Sequence, residues 1–127
     1  MKQGAKKPGK RDALARVRAI AKELPDVEEG TTFGWPAFKH RGKLFAWFPV
    51  KAEVEPGTLA VRMSIFEREQ RIAAQPDLYY VTPHYKDYPS VLARPDRMTD
   101  TALRELLESA HEFMVSDEKR RKATRKR

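Results

Sequence analysis

Two short apolar segments, the second built around a glycine turn, most narrowly restrict what this chain can fold into. Phe33-Gly34-Trp35-Pro36-Ala37-Phe38 leads into Arg41-Gly42-Lys43-Leu44-Phe45-Ala46. Segments this short and this rich in aromatic residues read as strands. Gly42 takes the positive φ that a two-residue turn at 41–42 requires. The pattern predicts strands near 31–34, 37–41 and 43–49, with Trp35-Pro36 between the first two. After the Glu55-Pro56-Gly57 turn a further strand is expected near 58–63. There the large apolar residues of Leu59-Ala60-Val61-Arg62-Met63 alternate, which turns Arg62 away from the core. Two more strands follow near 78–82 and 90–94.

Helical periodicity frames these strands. Leu14, Val17, Ile20, Ala21 and Leu24 recur at helical spacing behind Asp12 as N-cap, and Pro25 ends the run. Ser64 with Glu67 forms a capping box that opens a helix over 65–75, stopped by Pro76. Thr99 or Asp100 caps a last helix whose Leu103, Leu106, Leu107, Ala110, Phe113 and Met114 make one apolar stripe. The order helix, strands, helix, strands, helix predicts an α+β two-layer sandwich. Its antiparallel sheet carries the terminal helices packed on one face.

A length of 127 residues with 40% apolar content suits one domain. Net charge is +8, and its placement divides the chain. Residues 1–11 hold five basic side chains and no acid. Residues 117–127 hold seven against two acids, and 12–116 is left with a net of −2. The expected organisation is a basic tail over 1–11, a single domain over 12–116 and a second basic tail over 117–127. Neither tail has the apolar content to offset ordering, so both are expected to be disordered.

The hairpin, with Pro25-Asp26-Val27-Glu28-Glu29-Gly30 closing the first helix and Thr82-Pro83-His84-Tyr85-Lys86-Asp87-Tyr88-Pro89 further on, resembles the MmcQ/YjbR family of small bacterial α/β proteins. The resemblance spans roughly residues 13–115. It implies a frataxin-like or double-wing arrangement, and it implies DNA binding, the family's usual description.

Several function classes fall away on the residues alone. Without cysteine there is no disulfide, thiolate nucleophile or zinc-thiolate site, in keeping with a cytoplasmic setting. Neither G-x-G-x-x-G, G-x-x-x-x-G-K-[ST] nor G-x-S-x-G occurs. His40, His84 and His111 stand apart from metal-ligand spacing, so neither metal nor cofactor is expected. The first helix exposes Arg16, Arg18 and Lys22 rather than the carboxylates of iron-binding frataxins. The longest apolar run, Leu44 to Val50, is seven residues and contains a proline, far short of the ~20 that span a bilayer.

Two binding surfaces remain as candidates. Strict alternation puts Lys43, Phe45 and Trp47 on one strand face and Leu44, Ala46 and Phe48 on the other. With the first set outward, Lys43 joins Lys39, Arg41, Arg62 and Lys86 in a basic-aromatic surface for low-specificity contact with DNA or another polyanion. With it inward, Phe45 and Trp47 are core. The second candidate is the 82–89 segment. Its His84, Tyr85 and Tyr88 are expected to line a concavity with Trp35 as one wall and Lys43 or Arg62 as the nearest cation, suited to a small anionic ligand. Asp87 is placed to orient His84. The leading expectation is a non-catalytic nucleic-acid-binding domain, and the alternative is a small-molecule or protein-binding module.

Overall fold

The computed structural model describes residues 10–125. Three helices, α1 (Lys10–Ala21), α2 (Ile65–Ala74) and α3 (Asp100–Arg125), accompany six strands: β1 (Val27–Thr32), β2 (Trp35–His40), β3 (Lys43–Trp47), β4 (Leu59–Arg62), β5 (Tyr79–Tyr80) and β6 (Ser90–Ala93). The strands form one antiparallel sheet in the order β1-β2-β3-β4-β6-β5.

The periodic stripes fold as their spacing dictates. Val17, Ile20 and Ala21 of α1 and Leu103, Leu106, Leu107, Ala110 and Met114 of α3 are buried together on one face of the sheet, against Phe38, Phe45, Leu59 and Val61. Leu14 and Leu24 pack at the margin of this core. Ser64 caps α2, its Oγ accepting from Glu67 N at 3.0 Å, and Thr99 Oγ1 accepts from Ala102 N at 3.1 Å at the start of α3. The result is an α+β sandwich.

Local differences each have a physical cause. The first helix already begins at Lys10, so Asp12 lies inside it rather than at its N-cap. The segment Glu28-Glu29-Gly30 is strand, not turn, because β1 pairs along its length with β2, Glu28 opposite Lys39 and Gly30 opposite Ala37. Glu29 is held further by Arg18, whose Nε and Nη2 both donate to its carboxylate at 2.7 Å. Acidic side chains suit an edge strand, where they oppose pairing with another chain. Trp35-Pro36 belongs to β2, and the turn falls two residues earlier, at Phe33-Gly34.

Alternation along β3 is broken. Phe38 pairs with Ala46 and Lys39 with Leu44, so one residue of β3, Phe45, is extra. This β-bulge sends Phe45 and Ala46 to the helix side and leaves Leu44 and Trp47 together on the far side. Neither register expected from strict alternation is therefore correct.

The C-terminal residues also differ from expectation. α3 continues to Arg125, so 117–125 is helical rather than a disordered tail. Asp117 pairs with Arg120 and Arg121 one turn on, Glu118 pairs with Lys122, and Glu118 also meets Arg41 at 3.2 Å. Such i,i+3 and i,i+4 pairs support a helix that buries little. Most of the N-terminal basic stretch, residues 1–9, lies outside the described residues.

Candidate functional site

The face of the sheet opposite the helices is not bare. Ala37, Trp47, Ala60 and Leu92 form a second apolar cluster, covered by Val54 and Tyr85 from the segments that follow β3 and β5. Between these segments and the β1–β2 hairpin lies a cleft of about 260 Å³, lined by Thr32, Phe33, Trp35, Leu44, Trp47, Lys51, His84, Tyr85 and Tyr88. A second cavity of about 370 Å³ sits beside α1, walled largely by Leu14, Phe48, Val50, Val54 and prolines. It is larger and more apolar, with Lys51 and Thr58 also in its lining, and the convergence of aromatic rings with His84 and Lys51 singles out the first.

Local sequence explains how the cleft is presented. Pro83 starts a 3₁₀ turn over Pro83–Tyr85, where its fixed φ suits the first position. Tyr85 N then donates to Thr82 O and Tyr88 N to Tyr85 O, both at 3.0 Å. Tyr85 is thereby turned inward against Trp47, with ring centroids 6.4 Å apart, while Tyr88 stays partly exposed with its ring edge-on to Trp47 at 6.2 Å. Burial pushes the Tyr85 phenol above its ordinary pKa, with the Trp47 indole only partly opposing it. The His84 ring stands edge-on to Tyr85 at 4.8 Å. Its Nε2 lies 2.9 Å from Lys51 Nζ, which is 5.9 Å from the centre of the Tyr85 ring. Since an ammonium only donates, this contact requires an unprotonated Nε2 on His84 as acceptor.

Three arginines hold the walls. Arg68 is buried, and its guanidinium donates to the carbonyls of Tyr85, Lys86, Tyr88 and Ser90 at 2.8–3.3 Å. Arg62 donates to Pro89 O at 3.1 Å and packs between the rings of Tyr88 and Phe113, 5.1 and 5.2 Å from their centres. Arg94 fixes the segment carrying Lys51. It grips Glu55 through two bonds of 2.8 and 2.7 Å and lies 4.4 Å from the centre of the Tyr80 ring, whose hydroxyl accepts from Glu55 N. That grip holds the Glu55 carboxyl below the usual range.

Trp35, His84, Tyr85 and Tyr88 are thus brought to one concavity. The cation there is Lys51, not Lys43 or Arg62, and His84 hydrogen-bonds to Lys51 rather than Asp87. The basic-aromatic platform on β3 does not form, because Phe45 and Trp47 are 0% and 4% exposed and lie on opposite faces. Among its expected cations, Arg41 pairs with Glu118 and Asp26, and Arg62 is packed as above. Lys39 is half-buried in β2, while Lys43 and Lys86 are exposed. Lys51, Phe33 and Arg68 were not among the site residues expected from the sequence, and Trp47 was expected on the strand platform or in the core rather than in this cleft. One signal for Phe33 was available, a Phe-Gly pair between two β segments. One for Arg68 was its position a turn before Ile72, on the inward side of α2.

Among the described residues that line the cleft there is no aspartate or glutamate. Among the described residues no three His, Asp or Glu side chains gather as metal ligands, and no helix is long and apolar enough to cross a membrane. The family model described as YjbR matches residues 22–113. No curated protein matches the chain, and no solved structure does.

Proposed function

The chain belongs to the YjbR family, and on that premise we propose that its folded part is a non-catalytic binding module for a small anionic compound with a flat ring. The observation that carries this reading is the cleft itself. Trp35, Trp47, Tyr85 and Tyr88 supply apolar, polarisable walls, and the one ammonium among the lining side chains, Lys51, stands at the polar end beside His84. Aromatic walls with a few convergent polar groups suit orientation of a ligand. A proton-transfer role is not favoured, since His84 Nε2 is occupied by Lys51 and no carboxylate faces it in the cleft. The cysteine-free sequence supports a cytoplasmic setting.

Both tryptophans of the chain line this cleft, so their fluorescence reports on it directly. Titration with benzoate and phenyl phosphate should give a saturable change, and acetate should not. Lys51→Met should weaken benzoate about 10- to 100-fold, the worth of a charged hydrogen bond. Absence of saturation with either aromatic anion would reject the reading.

A second reading, low-specificity DNA binding, is favoured by the exposed basic end of α3, where Lys119, Arg120, Arg121 and Lys122 follow in sequence. The charge of the two ends predicts a slope of log K against log salt of roughly −3 to −6. Replacing those four residues by Gln should flatten it by about 2–4. Salt-independent binding would count against any polyanion role.

A further inference from the structure

Phe33 occupies a position that its side chain does not favour. It sits at φ 52° and Gly34 at φ 78°, the two central residues of a two-residue hairpin turn whose flanks, Thr32 and Trp35, are paired. A turn with both φ positive prefers Asn-Gly or Asp-Gly, and a bulky residue in the left-handed region is a true outlier. Phe33 is also 87% exposed, the most exposed of the large apolar residues among those described. Two unfavourable choices therefore coincide in one side chain. A second such turn among the described residues provides an internal comparison. Arg41, at φ 50° before Gly42, is compensated by its ion pairs with Asp26 and Glu118. Phe33 has an edge contact with Trp35, at 5.8 Å between ring centroids, and lines the mouth of the cleft. Strain of this kind gathers where a site needs a particular surface.

We infer that Phe33 is a specificity-determining contact, the aromatic lip that covers the ring of a bound anion and makes the cleft select aromatic over aliphatic acids. The inference rests on the binding reading given above and adds the residue that enforces the preference for a ring. The carboxylate or phosphate would meet Lys51 beside His84, and the ring would lie between Phe33 and the aromatic wall. Phe33 contributes less to the fold than a residue suited to its turn would, so stability and affinity should move in opposite directions when it is replaced.

The test uses the full chain, with benzoate as probe and acetate as aliphatic control. Phe33→Asn installs the preferred Asn-Gly turn. It should raise the melting temperature by about 3–6 °C and weaken benzoate roughly three- to tenfold, the worth of one aromatic pair. Phe33→Leu keeps apolar bulk without the ring, and should lose a similar affinity with little change in melting temperature. A lower melting temperature for Phe33→Asn would make Phe33 a packing residue and overturn the inference. So would benzoate affinity within twofold of wild type in both variants, which would leave the cleft reading intact. Failure of the wild-type chain to bind benzoate would overturn both.

Discussion

Arg68 is the side chain on which the shape of the cleft most depends. Its Nη2 donates to Lys86 O at 2.8 Å, and its Nη1 faces the carbonyls of Tyr85, Tyr88 and Ser90 at 3.2–3.3 Å. Nη1 carries two hydrogens, so three acceptors share two donors, and the four contacts amount to about three hydrogen bonds. At the low end for charged donors, about 1.5 kcal/mol each, they total about 4–5 kcal/mol. Arg68→Met keeps the buried stem but takes the guanidinium from all four carbonyls, of which Tyr85 O and Tyr88 O keep the N–H groups of Tyr88 and Ser90, while recovering part of the cost of desolvating the guanidinium. A net loss of about 2–3 kcal/mol follows, a large share of the ~5–15 kcal/mol that holds a domain together. Melting temperature should fall by about 10 °C. Amide exchange should quicken at Tyr85, Tyr88 and Ser90, whose N–H groups bond within the clamped segment. Arg68→Lys should restore under half of the loss, since one ammonium cannot reach the spread of carbonyls that a guanidinium fork spans. A change below about 0.5 kcal/mol with unaltered exchange would refute this reasoning. It would mean that Pro83, Pro89 and the packing of Tyr85 hold the segment unaided.

Leu107→Ala, at a fully buried position in the helix-side core, should cost about 2–5 kcal/mol in denaturant unfolding. His40 is buried with the His111 ring 4.8 Å away, and burial first, then the His111 charge, lowers its pKa. The unfolded chain therefore takes up a proton more readily there. Stability from this site should be complete above about pH 6.5 and decline as pH falls through the lower folded value, a slope that His40→Gln should flatten in pH-dependent melts. Tyr85→Phe removes a hydroxyl from the cleft and His84→Ala removes the partner of Lys51. Both should weaken benzoate in the fluorescence titration more than they lower the melting temperature, and the opposite ranking would make 82–89 a structural clamp.

The helices and the class of fold were legible in the chain because they rest on local periodicity. Leu103, Leu107, Ala110 and Met114 must share one face of any helix they form, and a face that apolar must be covered. The gathering of Trp35 with His84, Tyr85 and Tyr88 was legible to the same degree, since two prolines limit where such a segment can turn. Its cation was not. Lys51 is distinguished from Lys43 by the Arg94–Glu55 grip, the Tyr80 hydroxyl and the burial of Val54, which fold its segment over the far face of the sheet. The side to which Trp47 points was equally out of reach, because it turns on one extra residue in β3, and a bulge arises from the match between two strands rather than from either alone. Arg68 shows the same limit. A guanidinium is worth burying only where several carbonyls converge, and those of Tyr85, Lys86, Tyr88 and Ser90 lie 17 to 22 residues away along the chain. Spacing within a segment decided what most elements are, pairing with β2 made a strand of Glu28-Glu29-Gly30, and contacts between distant segments decided which side chains meet.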